Sequence, residues 1–304
     1  MKYALIDMGS NSIRLSVYEL DQTDFKILFR EKIMAGLAGY VEHGRLTQEG
    51  IDCACRSLRE FQNTLDLLHI RQMAVFATAS LRNVSNTAQA VDRIHRVTGI
   101  PVEVISGEAE AEYGFQGAVC DVQTPEGLFV DIGGASSELA LFSDRRVRQA
   151  VSVPVGSLKL YRDCVKKILP GKESRRRLEK TIQTAFDAAE LKAFSASAHM
   201  VCVGGTARAS LRLCRKLFGL PEDCRTFTAA QLDSLSKQLC KSTRDAAELI
   251  LRCEPERIHT LIPGVMVLQY LVRRFDVTDL TVSHYGVREG YLRQKILPSM
   301  PDLV

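Results

Sequence analysis

A short turn that the chain contains twice is the feature that most constrains its fold. The turn Asp7-Met8-Gly9-Ser10-Asn11-Ser12 follows the apolar run 3–6, and the turn Asp131-Ile132-Gly133-Gly134-Ala135-Ser136 follows the apolar run 128–130. Each turn leads into a second strand-like stretch, so each copy predicts a β-hairpin whose first strand ends in a carboxylate. Glycines let backbone N–H groups approach a ligand closely, and hydroxyl and amide side chains add donors. Two such turns, one in each half, indicate a phosphate site in a cleft between two duplicated domains.

The pattern of apolar runs around the two turns predicts an α/β protein of two domains. Strand-like runs alternate with amphipathic segments of helical length in the order β-β-β-α-β-α-β-α over the first half. The three-strand opening returns after a junction at 120–127 that contains proline and glycine. A chain of 304 residues is long enough for two hydrophobic cores. We therefore expect domain I over residues 1–125 and domain II over residues 126–304.

The individual elements follow from the same periodicities. In domain I the sequence predicts strands at 3–7, 12–19, 25–30, 73–77 and 102–105, and helices at 47–68, 86–98 and 107–119. In domain II it predicts strands at 128–131, 137–142, 147–153, 200–203 and 280–283, and helices at 156–168, 173–195, after Gly204-Gly205, at 228–240 with a capping box, at 243–251, at 255–274 with an interruption near Pro263-Gly264, and from Gly286 onward.

Composition excludes several classes of protein. The chain is 46% hydrophobic and 25% charged, as in an ordinary globular protein. It contains no apolar run of about 18 residues and no signal-peptide pattern at its N-terminus, so we expect a cytoplasmic protein without membrane contact. The nine cysteines include no C-x-x-C and no histidine at zinc-finger spacing, which predicts reduced thiols that mostly fill the core, as Cys202 does in the run 200–203.

Charge is distributed unevenly between the halves. Residues 1–125 hold 12 Lys and Arg against 16 Asp and Glu, whereas residues 126–304 hold 28 against 20. A polyanionic partner and a set of solvated helix faces both explain this excess. Nucleic acid is not expected, because aromatic residues do not alternate with these charges and the chain has no Trp. The basic clusters are Arg145-Arg146-x-Arg148, Lys166-Lys167, the run 172–180, Arg212 with Arg215-Lys216, and Arg273-Arg274.

A third glycine element strengthens the phosphate hypothesis. An Asp and a Gly after a strand form a common turn, so either hairpin alone is weakly specific. Gly204-Gly205-Thr206 follows the predicted strand 200–203 and opens a helix, where free N–H groups can meet an anion. Three glycine turns after three strands converge on one cleft if the two halves share a fold.

Six segments carry recognisable motifs, in the order 6–12, 77–82, 105–111, 130–138, 203–206 and 283–290. In this order they resemble the motifs of the exopolyphosphatase/guanosine pentaphosphate phosphatase (Ppx/GppA) family, within the actin–Hsp70–sugar kinase superfamily. The resemblance extends from residue 3 to about residue 295, and it identifies the chain as a short, two-domain member. It implies two duplicated actin-like, ribonuclease H-like domains with an inter-domain cleft, and a last helix that braces domain I.

The resemblance implies a metal-dependent exopolyphosphatase that uses Mg²⁺ or Mn²⁺ to hydrolyse the terminal phosphoanhydride of inorganic polyphosphate. We expect a preference for short chains, because the C-terminal region of the long family members is missing, and we expect a homodimer. The alternative within the same class is a guanosine pentaphosphate 5′-phosphohydrolase. A catalytically weak sensor of phosphate chains or nucleotides, and an ATP-binding kinase or actin-like assembly protein, are the alternatives from other classes.

The resemblance also implies a role for each residue of the motifs. Glu110 corresponds to the general base and Arg82 to a phosphate clamp, although an isolated Arg at a helix start is more often simply solvated. Metal ligands are expected at Asp131, with Asp7 and Glu138 as further candidates, and Arg288 and Glu289 are expected to form an internal ion pair. The substrate-binding residues are expected to be Ser10, Asn11, Ser12, Gly133, Gly134, Ser136, Gly205 and Thr206.

Local physics is compatible with Glu110 as the base. Ser106 can cap the helix that begins near Gly107, which places Glu110 in a first turn where the helix dipole favours a carboxylate. Glu108 and Glu112 are four residues apart and share a face, whereas Glu110 is offset from each by about 200°. Glu110 is therefore expected to point away from its acidic neighbours.

Three positions depart from the family pattern. Ala109 replaces the first Glu of the usual pair, Glu112 stands where the family has an Arg, and Ala135 replaces the third glycine of the second turn. Glu112 removes a positive charge close to the expected base. Substrate affinity and the preferred chain length are the properties that these changes put in question.

Overall fold

The two turns lie in two separate sheets. The structure, a computed structural model, describes residues 1–21, 24–189, 191 and 196–299. The chain divides into two units: unit 1 consists of Met1–Gly107 and the segment that begins at Tyr291, and unit 2 is Glu108–Gly290.

Unit 1 is built on a five-stranded mixed sheet in the order β3-β2-β1-β6-β7. The first strand is central because its residues are apolar on both faces, and it pairs antiparallel with β2 and parallel with β6. Thr47 caps helix α1 by accepting a hydrogen bond from the Gly50 N–H at 3.2 Å. The elements are β1 Lys2–Met8, β2 Ile13–Leu20, β3 Phe25–Ile33, β4 Val41–Glu42, β5 Arg45–Leu46, α1 Gln48–Leu67, β6 Met73–Ala77, α2 Ala79–Arg82, α3 Thr87–Thr98 and β7 Glu103–Val104.

Unit 2 is built on a six-stranded mixed sheet in the order β10-β9-β8-β11-β13-β12. The elements are α4 Gly107–Ala118, β8 Gly127–Ile132, β9 Ser137–Ser143, β10 Arg146–Val153, α5 Ser157–Cys164, α6 Lys172–Ala188, β11 His199–Val203, α7 Gly204–Phe218, β12 Thr226–Thr228, α8 Ala229–Lys241, α9 Thr243–Cys253, α10 Leu261–Arg274, β13 Asp279–Val282 and α11 Val287–Tyr291.

Helix α4 packs on one face of the unit 2 sheet, and helices α5 to α10 pack on the opposite face. Phe115 of α4 contacts Phe129 and Phe142, with ring centroids 6.3 and 4.7 Å apart. The neighbouring positions in the strands, such as Val130 and Leu139, belong to a second cluster that includes residues of α5, α6, α7, α8, α9 and α10. Because side chains alternate along a strand, these two clusters lie on opposite faces of the sheet.

Most predicted elements are confirmed, and the differences have local causes. The helix predicted at 156–168 ends at Cys164, because Lys166 and the residues after it form a loop. The segment 255–274 contains a 3₁₀ turn at Pro255–Arg257 and a new helix from Leu261, so Pro263 lies in a first turn, where a missing N–H is tolerated. The predicted helix 173–195 ends at Ala188 within the described residues, and its positions 190 and 192–195 lie outside them. The sequence did not predict α2 or the edge strand β12.

Two expectations from the composition concern the state of the cysteines and the presence of a membrane-spanning helix. All nine cysteines are free thiols, as predicted, and Cys202 is fully buried. In the described part of the chain, no helix combines the length and the apolar character that crossing a bilayer requires.

Candidate functional site

In unit 2 the second turn presents a set of backbone donors. The Gly133 N–H closes the turn on the Ser136 carbonyl at 2.9 Å, and the carbonyls of Gly133 and Gly134 accept hydrogen bonds at 2.9 Å from the N–H groups of residues 157–159, which begin α5. Within the described residues, the N–H groups of Gly134, Ala135 and Ser136 donate to no acceptor. The turn is therefore an open nest of the kind that binds anions.

The first turn, in unit 1, repeats this geometry. The Gly9 N–H donates to the Ser12 carbonyl at 3.1 Å, and the carbonyls of Ser10 and Asn11 accept hydrogen bonds at 2.9 Å from the segment 36–38. The N–H groups of Ser10, Asn11 and Ser12 likewise donate to no described residue. The duplication seen in the sequence thus extends to the hydrogen bond that closes the turn and to the open N–H groups, while the carbonyls that accept hydrogen bonds differ by one position between the two turns.

The carboxylates that precede the two turns have cross-strand neighbours that differ in the sign of their charge. In unit 2, Asp131 lies directly across from Glu138 in the antiparallel pair of β8 and β9, so both carboxylates project from one face. In unit 1, Asp7 lies directly across from Arg14, whose Nε donates to the Ser12 hydroxyl at 3.1 Å. The unit 2 pair concentrates negative charge, whereas the unit 1 pair brings a cation next to the carboxylate.

Glu138 is oriented within the sheet. Its side chain is 1% exposed, and its Oε1 accepts a hydrogen bond from the Ser152 hydroxyl at 2.8 Å. Ser152 lies directly opposite Glu138 in β10. A buried carboxylate needs such partners, and this bond fixes one oxygen of Glu138 beside Asp131.

The third glycine element, Gly204-Gly205-Thr206, lies directly beside the Asp131 side chain. Gly204 has a φ of +81°, and a Cβ on this residue would lie 2.2 Å from the Asp131 Oδ1. Helix α7 starts at Gly204, so its first N–H groups and the positive end of its dipole lie beside this carboxylate. Thr206 is buried and packs on Gly264 of α10. Gly205 and Thr206, the two residues of this element that were predicted to bind substrate, both lie in the first turn of α7.

Glu110 is buried in α4, one helical turn before a residue that packs on the sheet of unit 2. Its side chain is 8% exposed, whereas Glu108 and Glu112 are exposed, which confirms the predicted difference in direction. Gly114, one turn further along α4, lies so close to Phe129 that a Cβ would approach its ring to 2.5 Å. Asp131 follows Phe129 by two residues in β8, so Asp131 projects from the sheet face on which α4 packs.

Arg82 lies in unit 1 at the end of α2. Its Nη1 donates to the Ile105 carbonyl at 3.2 Å. The Ser80 hydroxyl donates to the Met8 carbonyl at 2.5 Å, and this bond ties α2 to the end of β1, next to Asp7. Arg82 thus lies at the same edge of the unit 1 sheet as the first turn.

The donors present fit a magnesium ion held partly by its substrate. No group of three or more His, Cys, Asp or Glu side chains that could hold a metal occurs in the described part of the chain. Mg²⁺ is, however, commonly bound by one or two carboxylates together with substrate phosphates and water. The pair of Asp131 and Glu138 beside an open phosphate nest is a donor set of this kind.

Sequence reasoning missed Arg257. A Cβ on Gly205 would lie 1.9 Å from Arg257 Nη2, so this guanidinium rests directly on the first turn of α7. Glu254, which is buried, lies 3.6 Å from Arg257 Nε and also accepts a hydrogen bond from Arg212. Arg257 lies more than fifty residues from Gly205 in the sequence, and no local pattern marks its position.

Cys202 is unsuited to nucleophilic chemistry although it lies in the strand that leads to Gly204. Burial raises the pKa of its thiol, and the negative charge of Asp131 raises it further. The thiol therefore stays protonated, as expected of a core residue.

The C-terminal motif has a structural role in unit 2. The Glu289 carboxylate is 1% exposed and accepts a hydrogen bond from the Gly286 N–H at 2.9 Å, which fixes the start of α11. Gly286 in turn packs on Gly117 of α4, where a Cβ would lie 2.0 Å from the Gly286 carbonyl oxygen. The ion pair predicted between Arg288 and Glu289 stays a prediction.

Comparison with solved structures shows the same fold in other proteins. An exopolyphosphatase from Cytophaga hutchinsonii superposes with a TM-score of 0.85 at 23% identity, covering 99% of both chains. The Ppx/GppA family member of Aquifex aeolicus superposes with a TM-score of 0.79 at 23% identity, covering 98% of both chains. The fold is the predicted one, an α/β actin-like fold with two mixed sheets.

Sequence comparison carries the relationship further. The guanosine-5′-triphosphate,3′-diphosphate pyrophosphatase of Vibrio vulnificus is 29% identical over 297 residues, which are 95% of this chain. The chain spans 58% of the length of that relative. The model of the Ppx/GppA phosphatase family matches residues 16–299. The chain therefore belongs to the Ppx/GppA phosphatase family.

Proposed function

We propose that the protein is a metal-dependent exopolyphosphatase, which removes the terminal phosphate of inorganic polyphosphate by hydrolysis. The observation that carries this proposal is the unit 2 turn, where open N–H groups of Gly134, Ala135 and Ser136 stand beside the carboxylates of Asp131 and Glu138. Amide donors match phosphate oxygens, and the paired carboxylates match a divalent cation that accompanies phosphate.

Phosphoryl transfer to water depends mainly on positioning and charge neutralisation. In our proposal, the turn 133–136 and the first turn of α7, with Gly205 and Thr206, bind the oxygens of the terminal phosphate. The unit 1 residues Ser10, Asn11 and Ser12 are proposed as further phosphate ligands, and Arg82 as a clamp. Asp131 and Glu138, with Asp7 as a further candidate, would hold Mg²⁺ or Mn²⁺. A bound divalent cation supplies neutralisation of the charge that builds up on the phosphoanhydride oxygens.

Glu110 is the proposed general base. A carboxylate of this kind orients the attacking water and accepts its proton as the new bond to phosphorus forms and the bond to the bridging oxygen breaks. Burial distinguishes Glu110 from the exposed Glu108 and Glu112, and its helix α4 packs on the sheet face from which Asp131 projects. Arg257 adds a cation that neutralises phosphate charge at the first turn of α7.

A second candidate is the 5′-phosphohydrolysis of guanosine pentaphosphate. The name of the Vibrio vulnificus relative favours it, at 29% identity. Both substrates end in a phosphoanhydride, so the same turn would serve either reaction. The difference would lie in groups that contact the nucleoside.

A substrate panel separates the two candidates. Phosphate release is measured from tripolyphosphate, long-chain polyphosphate and guanosine pentaphosphate, with Mg²⁺, with Mn²⁺ and with EDTA. We expect metal-dependent release from polyphosphate with the higher kcat/KM. A higher kcat/KM on guanosine pentaphosphate would favour the second candidate, and binding of either substrate without turnover would favour a sensor.

A further inference from the structure

A cluster of cations on α6 and the loop before it lies outside the site described above. Between Ser157 and Lys180 the chain has nine Lys and Arg against three Asp and Glu. Seven of these cations are exposed, and the five that lie after α5 form what we call the basic face: Lys166, Lys167, Lys172, Arg176 and Lys180.

Two other arginines and a tyrosine fix the loop that carries part of this face. Arg177 donates twice to the Cys164 carbonyl, at 2.9 and 3.2 Å, and Arg175 donates to the Pro170 carbonyl at 3.2 Å. The Tyr161 hydroxyl donates to the Lys167 carbonyl at 3.2 Å. The side chains of Val165, Leu169 and Pro170 are buried, so the loop is held with residues 166–168 facing solvent.

The cations of the basic face have no acidic partners among the described residues. Some other exposed cations on this unit are paired, as Lys159 is with Asp163 at 2.7 Å and Lys237 is with Asp233 at 2.7 Å. Lys172, Arg176 and Lys180 instead follow one another at four-residue intervals along α6. Like charges at this spacing destabilise a helix, and a cation in the first turn opposes the helix dipole. These charges therefore lower the stability of α6. A polyanionic ligand would neutralise them, so this surface is suited to binding one.

Helix α5 connects the basic face to the phosphate-binding turn. It begins on the turn, because the N–H groups of residues 157–159 donate to the Gly133 and Gly134 carbonyls. It ends at Cys164, directly before the fixed loop. Eight helical residues span about 12 Å. The exposed charged residues of this helix are Lys159, Arg162 and Asp163, so the helix carries a net positive charge between the two places although Lys159 is paired with Asp163.

We propose that the basic face binds the distal phosphates of a long inorganic polyphosphate chain whose terminal phosphate lies at the turn 133–136. This inference rests on the proposed function and names its substrate as a chain long enough to extend along α5. A short chain held at the turn ends before the basic face. The preference for short chains that was expected from the sequence is therefore replaced by a preference for long ones.

The test compares long-chain polyphosphate with tripolyphosphate. The variant is Lys172→Gln/Arg176→Gln/Lys180→Gln, because Gln keeps helix propensity while removing charge. The matched control, Lys237→Gln/Lys241→Gln/Arg244→Gln, removes three charges from α8 and α9 of the same unit. We expect KM for long chains to rise about tenfold in the variant, equivalent to about 1.4 kcal/mol of binding. We expect KM for tripolyphosphate, kcat, and both constants of the control to stay within a factor of two of wild type.

Several results would overturn the inference. Equal changes in KM for both substrates, no change for long chains, or the same change in the control would each exclude a distal subsite at the basic face. Co-sedimentation of the wild type, but not the variant, with vesicles containing anionic lipid, together with an unchanged KM for long chains, would assign the face to a membrane surface instead.

A binding measurement keeps this test separate from the proposed function. Fluorescence anisotropy with end-labelled long-chain polyphosphate is measured for Glu110→Gln with and without the triple substitution. If the wild type releases no phosphate from any chain, the proposed function fails. The basic face is still supported in that case if the triple substitution weakens binding about tenfold, and it is excluded if binding is unchanged.

Discussion

At the scale of single residues, the burial of one carboxylate among three is the most informative feature. Glu108, Glu110 and Glu112 lie within five residues of α4, yet only Glu110 is buried. A surface role explains Glu108 and Glu112, since the helix exposes both. Burial of Glu110 is costly unless the group has partners or a function.

Replacement of Glu110 therefore gives the first prediction. Glu110→Gln keeps the shape of the side chain but cannot accept a proton, so kcat on polyphosphate is expected to fall by about 10²-fold or more. The control Glu112→Gln changes an exposed side chain two residues away and is expected to leave kcat within a factor of two. Steady-state phosphate release measures both. Unchanged turnover in Glu110→Gln, with an unchanged melting temperature, would show that the base lies elsewhere.

A buried thiol gives a prediction about pH. Burial raises the pKa of Cys214 to about 12, whereas an unfolded thiol titrates near about 8.5. The unfolded state therefore loses this proton first, and the stabilising effect of the protonated thiol is complete below about pH 8.5 and declines from there towards about pH 12. Between about pH 8 and about pH 10, the free energy of unfolding of wild type should fall by about 2 kcal/mol more than that of Cys214→Ala. Urea unfolding at both pH values measures the difference, and parallel losses would contradict it.

At the scale of elements, the contact between α4 and the loop before α11 sets the position of the proposed base. Gly117 lies in α4, and a Cβ there would stand 2.0 Å from the Gly286 carbonyl oxygen. Asp121, just after α4, accepts hydrogen bonds from the Ser283 hydroxyl and from Arg225. Backbone contact on one side and a charged hydrogen-bond network at the end therefore hold the helix that carries Glu110.

A glycine substitution tests this contact, because the contact reverses the sign of the expected change in the free energy of unfolding. Gly→Ala inside a helix normally stabilises by about 1 kcal/mol. Gly117→Ala is expected instead to destabilise by about 1–3 kcal/mol, because the methyl group forces the backbone segments apart. Gly39→Ala, in a helical turn with open space around it, is the control and is expected to be neutral or stabilising by up to about 1 kcal/mol. Thermal unfolding measures both, and a stabilised Gly117→Ala would contradict the described packing.

The same scale shows what the sequence could predict. Helix α4 and strand β6 were predicted to within one residue, and the Thr228 capping box was found, because their signals are local. The edge strand β12 has three residues and depends on pairing with β13, and α5 stops where Arg177 captures the Cys164 carbonyl. Arg257 reaches Gly205 only through tertiary packing. Each of these features depends on residues distant in sequence, which periodicity and capping signals do not contain.

At the scale of the whole molecule, the two units share a backbone arrangement but differ in the charges placed next to it. The sheet of each unit contains three consecutive antiparallel strands, and an open turn joins the first two of them. They differ in electrostatics, since Asp7 faces Arg14 whereas Asp131 faces Glu138. The basic face also lies in unit 2, whose sheet carries the carboxylate pair. The backbone geometry was kept in both copies, while the cation-binding chemistry is expected in one.

This division predicts how metal and phosphate together stabilise the protein. A ligand present at about 100 times its Kd stabilises the folded state by about 2.7 kcal/mol, so tripolyphosphate with Mg²⁺ is expected to raise the melting temperature of wild type by several degrees. EDTA should remove most of this increase. Asp131→Asn is expected to lose the Mg²⁺-dependent part, because Glu138 alone is a poor site, whereas Asp7→Asn should keep most of it. Differential scanning fluorimetry of the three proteins, with each ligand alone and combined, measures these shifts. A loss confined to Asp7→Asn would place the cation beside the first turn and reverse the assignment of the two copies.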